Sequence, residues 1–288
     1  MIDLEGIALG GIYVDKTSII GIILGIFAIG LGMVLKGVSV MALFNPAALL
    51  IIFVGTLAAV MIAFPTRVIK NVPALFKVIL TEQEQVNMNE LITQFTGWAE
   101  QTRREGLLSL EGQMETVEDP FLHSGLQMAV DGQNPDFIRD VLMEKVYAME
   151  RRHEEGAQVF SQAGTYAPTL GVLGAVVGLI AALGNMENMD ILGAAISAAF
   201  IATLLGIFTG YVLWHPFANK LREKSKREVM MKEVMVEGIL SITAGESPSV
   251  IKDKLSSYLS AKEIDNMNRK NAEQRSDEQE GGNETEES

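Results

Sequence analysis

The sequence predicts an all-α, polytopic membrane protein with four transmembrane helices and a helical cytoplasmic domain. Three observations lead there. The 288 residues are 48% hydrophobic, and the apolar ones are gathered into blocks instead of being spread along the chain. Four of those blocks carry a charge-free run long enough to cross a bilayer, which takes about 20 apolar residues. Basic residues flank the blocks on one side only.

The spans are placed at residues 17–36, 46–65, 164–186 and 191–214. The first follows Lys16 and is succeeded by "VSVMA", the layout of a secretory signal. A second span follows almost at once, which favours a retained helix. Arg67, Lys70 and Lys77 come after span two, Arg151 and Arg152 before span three, and "NKLREKSKR" (219–227) after span four. The loops "KGVSVMALFN" and "NMENMD" hold one basic residue, Lys36. Basic residues collect on the cytoplasmic side, so both termini and the long central segment are expected inside a cell membrane crossed four times.

The remaining segments follow. Residues 1–16 form an N-terminal segment with no clear pattern beyond its semi-apolar character. Residues 67–160 are a cytoplasmic helical domain. Within it, "NMNELITQFTGWAEQTRREGLLSLE" keeps apolar residues at three and four spacing, with Gly106 as a break. "VDGQNPDFIRDVLMEKVYAMERRHEEG" opens on an Asp-Gly turn with Asn134 as N-cap and Pro135 at the first helical position. That helix runs on towards span three, and "ERRHEEG" reads as its solvated surface. Residues 215–262 hold an amphipathic helix, a Gly/Pro turn and a shorter helix. Residues 263–288 are acidic, have almost nothing to bury and are expected to be disordered.

Composition excludes several functions. The formal charge is −13, against a general nucleic-acid binder, which needs clustered Lys and Arg. There is no cysteine, hence no disulfide framework or Cys-based zinc site. His123, His153 and His215 are the three histidines, and they lie in separate segments without metal-ligand spacing. No Walker loop, HExxH, GxSxG or GxGxxG is present. Neither a metal, a cofactor nor an enzymatic activity is expected.

The spans themselves are built for close contact. Gly171, Gly174 and Gly178 lie in span three, and Ala195, Ala199, Ala202, Gly206 and Gly210 near one face of span four. Small residues let helices approach in lipid, within one chain or between copies. No Asp, Glu, Lys, Arg or His lies inside a span, although ion-moving proteins usually carry one. Thr169, Ser197, Thr203 and Thr209 supply hydroxyls at depth, which commonly bond back to their own helix. If the chain moves ions, the titrating group belongs to a partner. Pro168 lies a turn inside span three, and Pro216 in "LWHPFANKL" closes span four. Each reads either as a passive bend or as a hinge. Trp214 and His215 read as an interface anchor.

"QAGTYAPTLGVLGAVVGLIAAL" followed by "AISAAFIATLLGIFTGYVLWHPFANKL" resembles the third and fourth spans of the MotA/PomA family of flagellar motor stator proteins. "TRREGLLSLE" (102–111) and "MAVDGQNPDFIRDVLMEKVYAMERRHEEG" (128–156) fit the same family's cytoplasmic part. The resemblance runs from Asp15 to Tyr258. It implies a self-associated ring of A subunits around a MotB-type B subunit, whose transmembrane aspartate binds the ion. Ion flow through that channel would turn the rotor through the switch protein FliG, powering motility and chemotaxis. By match to the family's motifs, Arg103 and Glu111 are the rotor-interacting charges, and Pro168 and Pro216 the coupling prolines. Thr203 and Ala175 then line the ion pathway. Sodium-type members carry threonine where this chain has Ala175, so the resemblance implies proton coupling. The alternative is an energiser of the ExbB/TolQ type, a distant relative that also converts ion flow to force but has three spans.

Overall fold

The structure, a computed structural model, describes residues 15–82, 87–184, 186–259 and 264. The expectations for residues 1–14 and for the acidic tail from 265 onward lie outside the described residues. The chain forms two compact units, Met1–Glu84 with Arg151–Ser225 and Gln85–Glu150 with Lys226–Ser288. Four helices are long and apolar enough to cross a membrane, and the protein is a membrane protein.

In the first unit, α1 spans Lys16–Leu35. Its 20 residues give a length of about 30 Å at 1.5 Å per residue. Asp15 caps it, accepting a 3.1 Å hydrogen bond from the Ser18 amide. α2 covers Pro46–Ala63. Asn45 accepts from the amides of Ala47 and Ala48, with Pro46 at the first helical position. A π-turn at Leu50–Val54 interrupts this span. No sequence pattern announces it, because the residues are uniformly apolar. α3 is the short helix Thr66–Ile69 and α4 is Val72–Leu80.

The second unit is built on α5, Met88–Glu105. A short α6 at Glu111–Met114 and α7 at Pro120–Val130 follow. α8 is one helix of 49 residues, Pro135–Leu183, with Pro168 inside it. α9, Met189–Phe208, passes through a π-turn at Thr209–Trp214 into α10, His215–Thr243. α11 is Pro248–Ser256. α8 and α10 each contribute to both units.

The core of the second unit joins Phe95 and Trp98 of α5, Leu126 of α7, Ile138 and Leu142 of α8, Met235 and Ile239 of α10, and Ile251 of α11. Phe95 lies flat on Gly238, where a Cβ would come within 2.6 Å of its ring. Asp119 caps α7 through the amides of Phe121 and Leu122, and Lys232 closes on its carboxylate at 2.5 Å. Burial pushes the Asp119 carboxyl up. The Lys232 hydrogen bond and the helix amides outweigh that and hold it below the usual carboxylate range.

Two expectations fail here. Pro216 does not end the helix of span four, because the chain stays helical to Thr243. The π-turn just before Pro216 widens the helix where the ring needs room and one N–H is missing. "ERRHEEG" is also more than a solvated surface. Glu154 takes a bidentate pair of bonds from Arg222 at 2.9–3.2 Å, His153 Nδ1 lies 3.0 Å from Ser225 Oγ, and Glu155 pairs with Arg67 at 3.2 Å. The sequence reading missed this because each partner lies more than 60 residues away.

Candidate functional site

The stripes of small residues meet each other inside one chain. A Cβ on Gly171 would stand 2.9 Å from the Ala202 carbonyl oxygen and 3.0 Å from Gly206 Cα. On Gly206 it would lie 2.7 Å from the Ala167 oxygen and 2.8 Å from Gly171 Cα. Gly178 meets Ala199 in the same way, at 3.1 Å. α8 and α9 therefore touch backbone to backbone along a seam, which only glycine and alanine permit. The Gly174–Gly178 pair is spent on this contact. It gives no separate argument for association between copies.

The seam runs down to the prolines. Gly210, inside the π-turn, faces Pro168 at 2.7 Å and the Gly164 carbonyl oxygen at 2.8 Å, measured from the Cβ it lacks. The His215 ring lies over Gly164 at 2.8 Å by the same measure. A proline in one helix thus sits against the irregular turn of the other. Both features lack regular i→i+4 hydrogen bonds, so this level of the pair is the easiest to bend. Pro216, just beyond the turn, faces α1 across a crevice. Trp214 is no simple interface anchor. It packs edge-to-face against Phe76 and Phe217 and tilted against Phe160, with ring centroids 6.2–6.3 Å apart, and its indole N–H is buried and unpaired.

Ala175 and Thr203 follow in sequence the facing pair Gly174 and Ala202, where a Cβ on Gly174 would lie 3.2 Å from that of Ala202. They stand at nearly one level of the seam, both half-buried. The Thr203 hydroxyl bonds back to the Ala199 carbonyl at 3.3 Å, Thr209 to Leu205 and Gly206, and Thr169 to Tyr166. Arg103 and Glu111 lie in the second unit. Gly106, with φ +85°, stops α5 after Arg103 and turns the chain so that α6 opens with Glu111. Both side chains are exposed. Neither they nor Arg104 and Glu100 form an ion pair among the described residues.

Sequence reasoning missed Asp15. Its carboxylate receives Lys220 at 2.6 Å and Lys224 at 3.7 Å, and the Thr17 hydroxyl at 2.7 Å. Lys224 also donates to the carbonyls of Val78 and Thr81 at 2.5 Å. The knot ties the start of α1 and the end of α4 to α10. Burial pushes the Asp15 carboxyl up, but the hydrogen bonds from Lys220, Thr17 and the Ser18 amide hold it well below the usual carboxylate range. An acid beside Lys16, at the start of the first charge-free span, was the available signal.

The chain is 64% identical over 249 residues to Motility protein A of Bacillus subtilis, covering 86% of this chain and 92% of that protein. It belongs to the MotA/TolQ/ExbB proton channel family. The family's model matches residues 113–234, the stretch that holds all of α8 and α9 and the whole seam. The solved flagellar MotAB stator complex from Bacillus subtilis superposes with a TM-score of 0.83 at 64% identity, over 87% of this chain and 98% of that one. MotAB from C. jejuni gives 0.82 at 31% identity, over 86% and 96%. The structural likeness to these MotAB complexes thus extends well beyond the residues the family's model matches.

Proposed function

We propose that this chain is the A subunit of a flagellar motor stator, a non-enzymatic, ion-driven torque generator. The likeness to Motility protein A and to a solved MotAB stator along most of the chain carries this reading. In it, copies of the chain form a ring around a B-type subunit that supplies a membrane carboxylate. The chemistry agrees: a seam of glycine and alanine without a titratable group can wall an ion path but cannot bind the ion. Thr203 and Ala175 stand beside that carboxylate. Pro168 and Pro216, on either side of the π-turn, carry its change of charge into movement of α10. Arg103 and Glu111, exposed at the turn of the second unit, meet the rotor protein FliG. Both termini and the second unit are cytoplasmic.

With alanine at 175, each copy offers one hydroxyl at this level. A proton needs only the carboxylate, whereas sodium needs several oxygens, so the coupling ion is the proton. The experiment is complementation. The chain, expressed with its B-type subunit in a non-motile strain lacking its own stator, restores swimming that persists without sodium and stops with a protonophore. Membrane insertion without swimming, or speed that follows external sodium, refutes the stator reading or the proton reading respectively.

A further inference from the structure

We infer that the first unit carries a binding site for an anionic phospholipid headgroup, in the crevice between α1 and the π-turn. The crevice holds about 420 Å³, within the range of small-ligand sites. Its lining is graded along the helices. Gly21 and Ile22 of α1 and Val212 of the π-turn make an apolar upper part. One turn lower, at the first residues of α1, lie the hydroxyls of Thr17 and Ser18 and the ammonium of Lys220. That order matches a lipid, with its acyl chain against the apolar part and its phosphate at the polar end. The exposed positions of Gly21 and Tyr211 open the crevice to the outside of the helix pair.

Charge selects the headgroup. Two ammonium groups, Lys220 and Lys224, share the single carboxylate of Asp15. Lys16 is exposed and makes no ion pair among the described residues. Glu82 also acts on Lys224, and with Lys16 the basic groups still outnumber the two acids, so the polar end is positive in a chain whose formal charge is −13. A phosphodiester with no compensating cation of its own fits there, and a zwitterionic choline headgroup fits less well. The space at Gly21 is open, since a Cβ there would meet nothing within 4 Å. A lipid so held lies against Pro216. The inference rests on the reading that α1 and α9 span the membrane, with Lys16 at the start of α1 and the lysines of α10 at the cytoplasmic leaflet.

The test uses the full chain with its B-type subunit in lipid nanodiscs and a photoactivatable phosphatidylglycerol. Labelling is expected on peptides holding residues 17–22 or 211–220. Unlabelled phosphatidylglycerol should compete better than phosphatidylcholine by about fivefold for each ammonium engaged. Inorganic phosphate should not displace it. Gly21→Leu fills the crevice and removes most of the labelling. Gly32→Leu, on the same helix and also in open space, leaves it unchanged. Equal competition by the two lipids in the unaltered protein overturns the inference, as does displacement by phosphate. Labelling that survives Gly21→Leu also overturns it. So does a lower subunit number for Gly21→Leu by native mass measurement, which assigns the crevice to a second copy. A chain that takes the label but does not restore swimming keeps the lipid site and sinks the stator reading.

Discussion

Replacing Gly206 by alanine adds one methyl group at the tightest point of the α8–α9 seam. Its carbon would lie 2.7 Å from the Ala167 carbonyl oxygen and 2.8 Å from Gly171 Cα. Ordinary contact begins at 3.4 Å, so the helices must part by about 0.7 Å, or the turn must deform. Both obstacles are backbone, and no side-chain rotamer relieves them. Overpacking of this kind costs about 1–3 kcal/mol, against an intrinsic helical gain of about 1 kcal/mol for alanine over glycine. Parting the seam also strips dispersion contacts from its whole length. Gly30→Ala is the control, since a Cβ there meets nothing within 4 Å and only the gain applies. Thermal inactivation of the purified membrane complex and swimming speed are measured side by side. The expected result is a complex less heat-stable with Gly206→Ala and unchanged or firmer with Gly30→Ala. Equal stability and full motility of Gly206→Ala would refute a backbone-contact seam.

Three further outcomes follow from the same structure. Cysteines at the exposed Met41 and Glu187 should react with an impermeant thiol reagent in intact cells, and one at Gly112 only after lysis; labelling of Gly112 in intact cells reverses the orientation. Arg103→Glu with Glu111→Lys should lower torque or stator recruitment while insertion stays normal, each single change being milder because exposed charges act by steering and register; wild-type swimming in the double variant removes both from the rotor contact. Asp15→Asn should cost about 1.5–3 kcal/mol at neutral pH, the worth of hydrogen bonds to a charged group. Its carboxyl titrates lower in the folded chain, so the contribution is complete above about pH 4 and fades as pH falls through the lowered value. The melting gap between wild type and variant should therefore be wide at neutral pH and close in strong acid; a gap independent of pH contradicts the ion-pair account.

The sequence alone determined the four spans, the helical segment between the second and third, and the turn at Gly106. Each of these is set by local chemistry: charge-free runs of sufficient length, three-and-four spacing, and a residue able to take positive φ. It also determined that the spans hold no titratable group, which turned attention to a partner's carboxylate. Which glycine meets which alanine was settled by the packed helices. A stripe records that a helix approaches something closely and leaves the neighbour unnamed, and here the neighbour is the next span of the same chain. The π-turns at Leu50–Val54 and Thr209–Trp214 follow no pattern that announces them, although the second stands directly before Pro216. The helix passes through the second of those turns into α10 and runs on beyond Pro216. Asp15, Lys220 and Lys224 became one site only when residues some 200 positions apart were brought together, a distance at which composition and periodicity carry no signal.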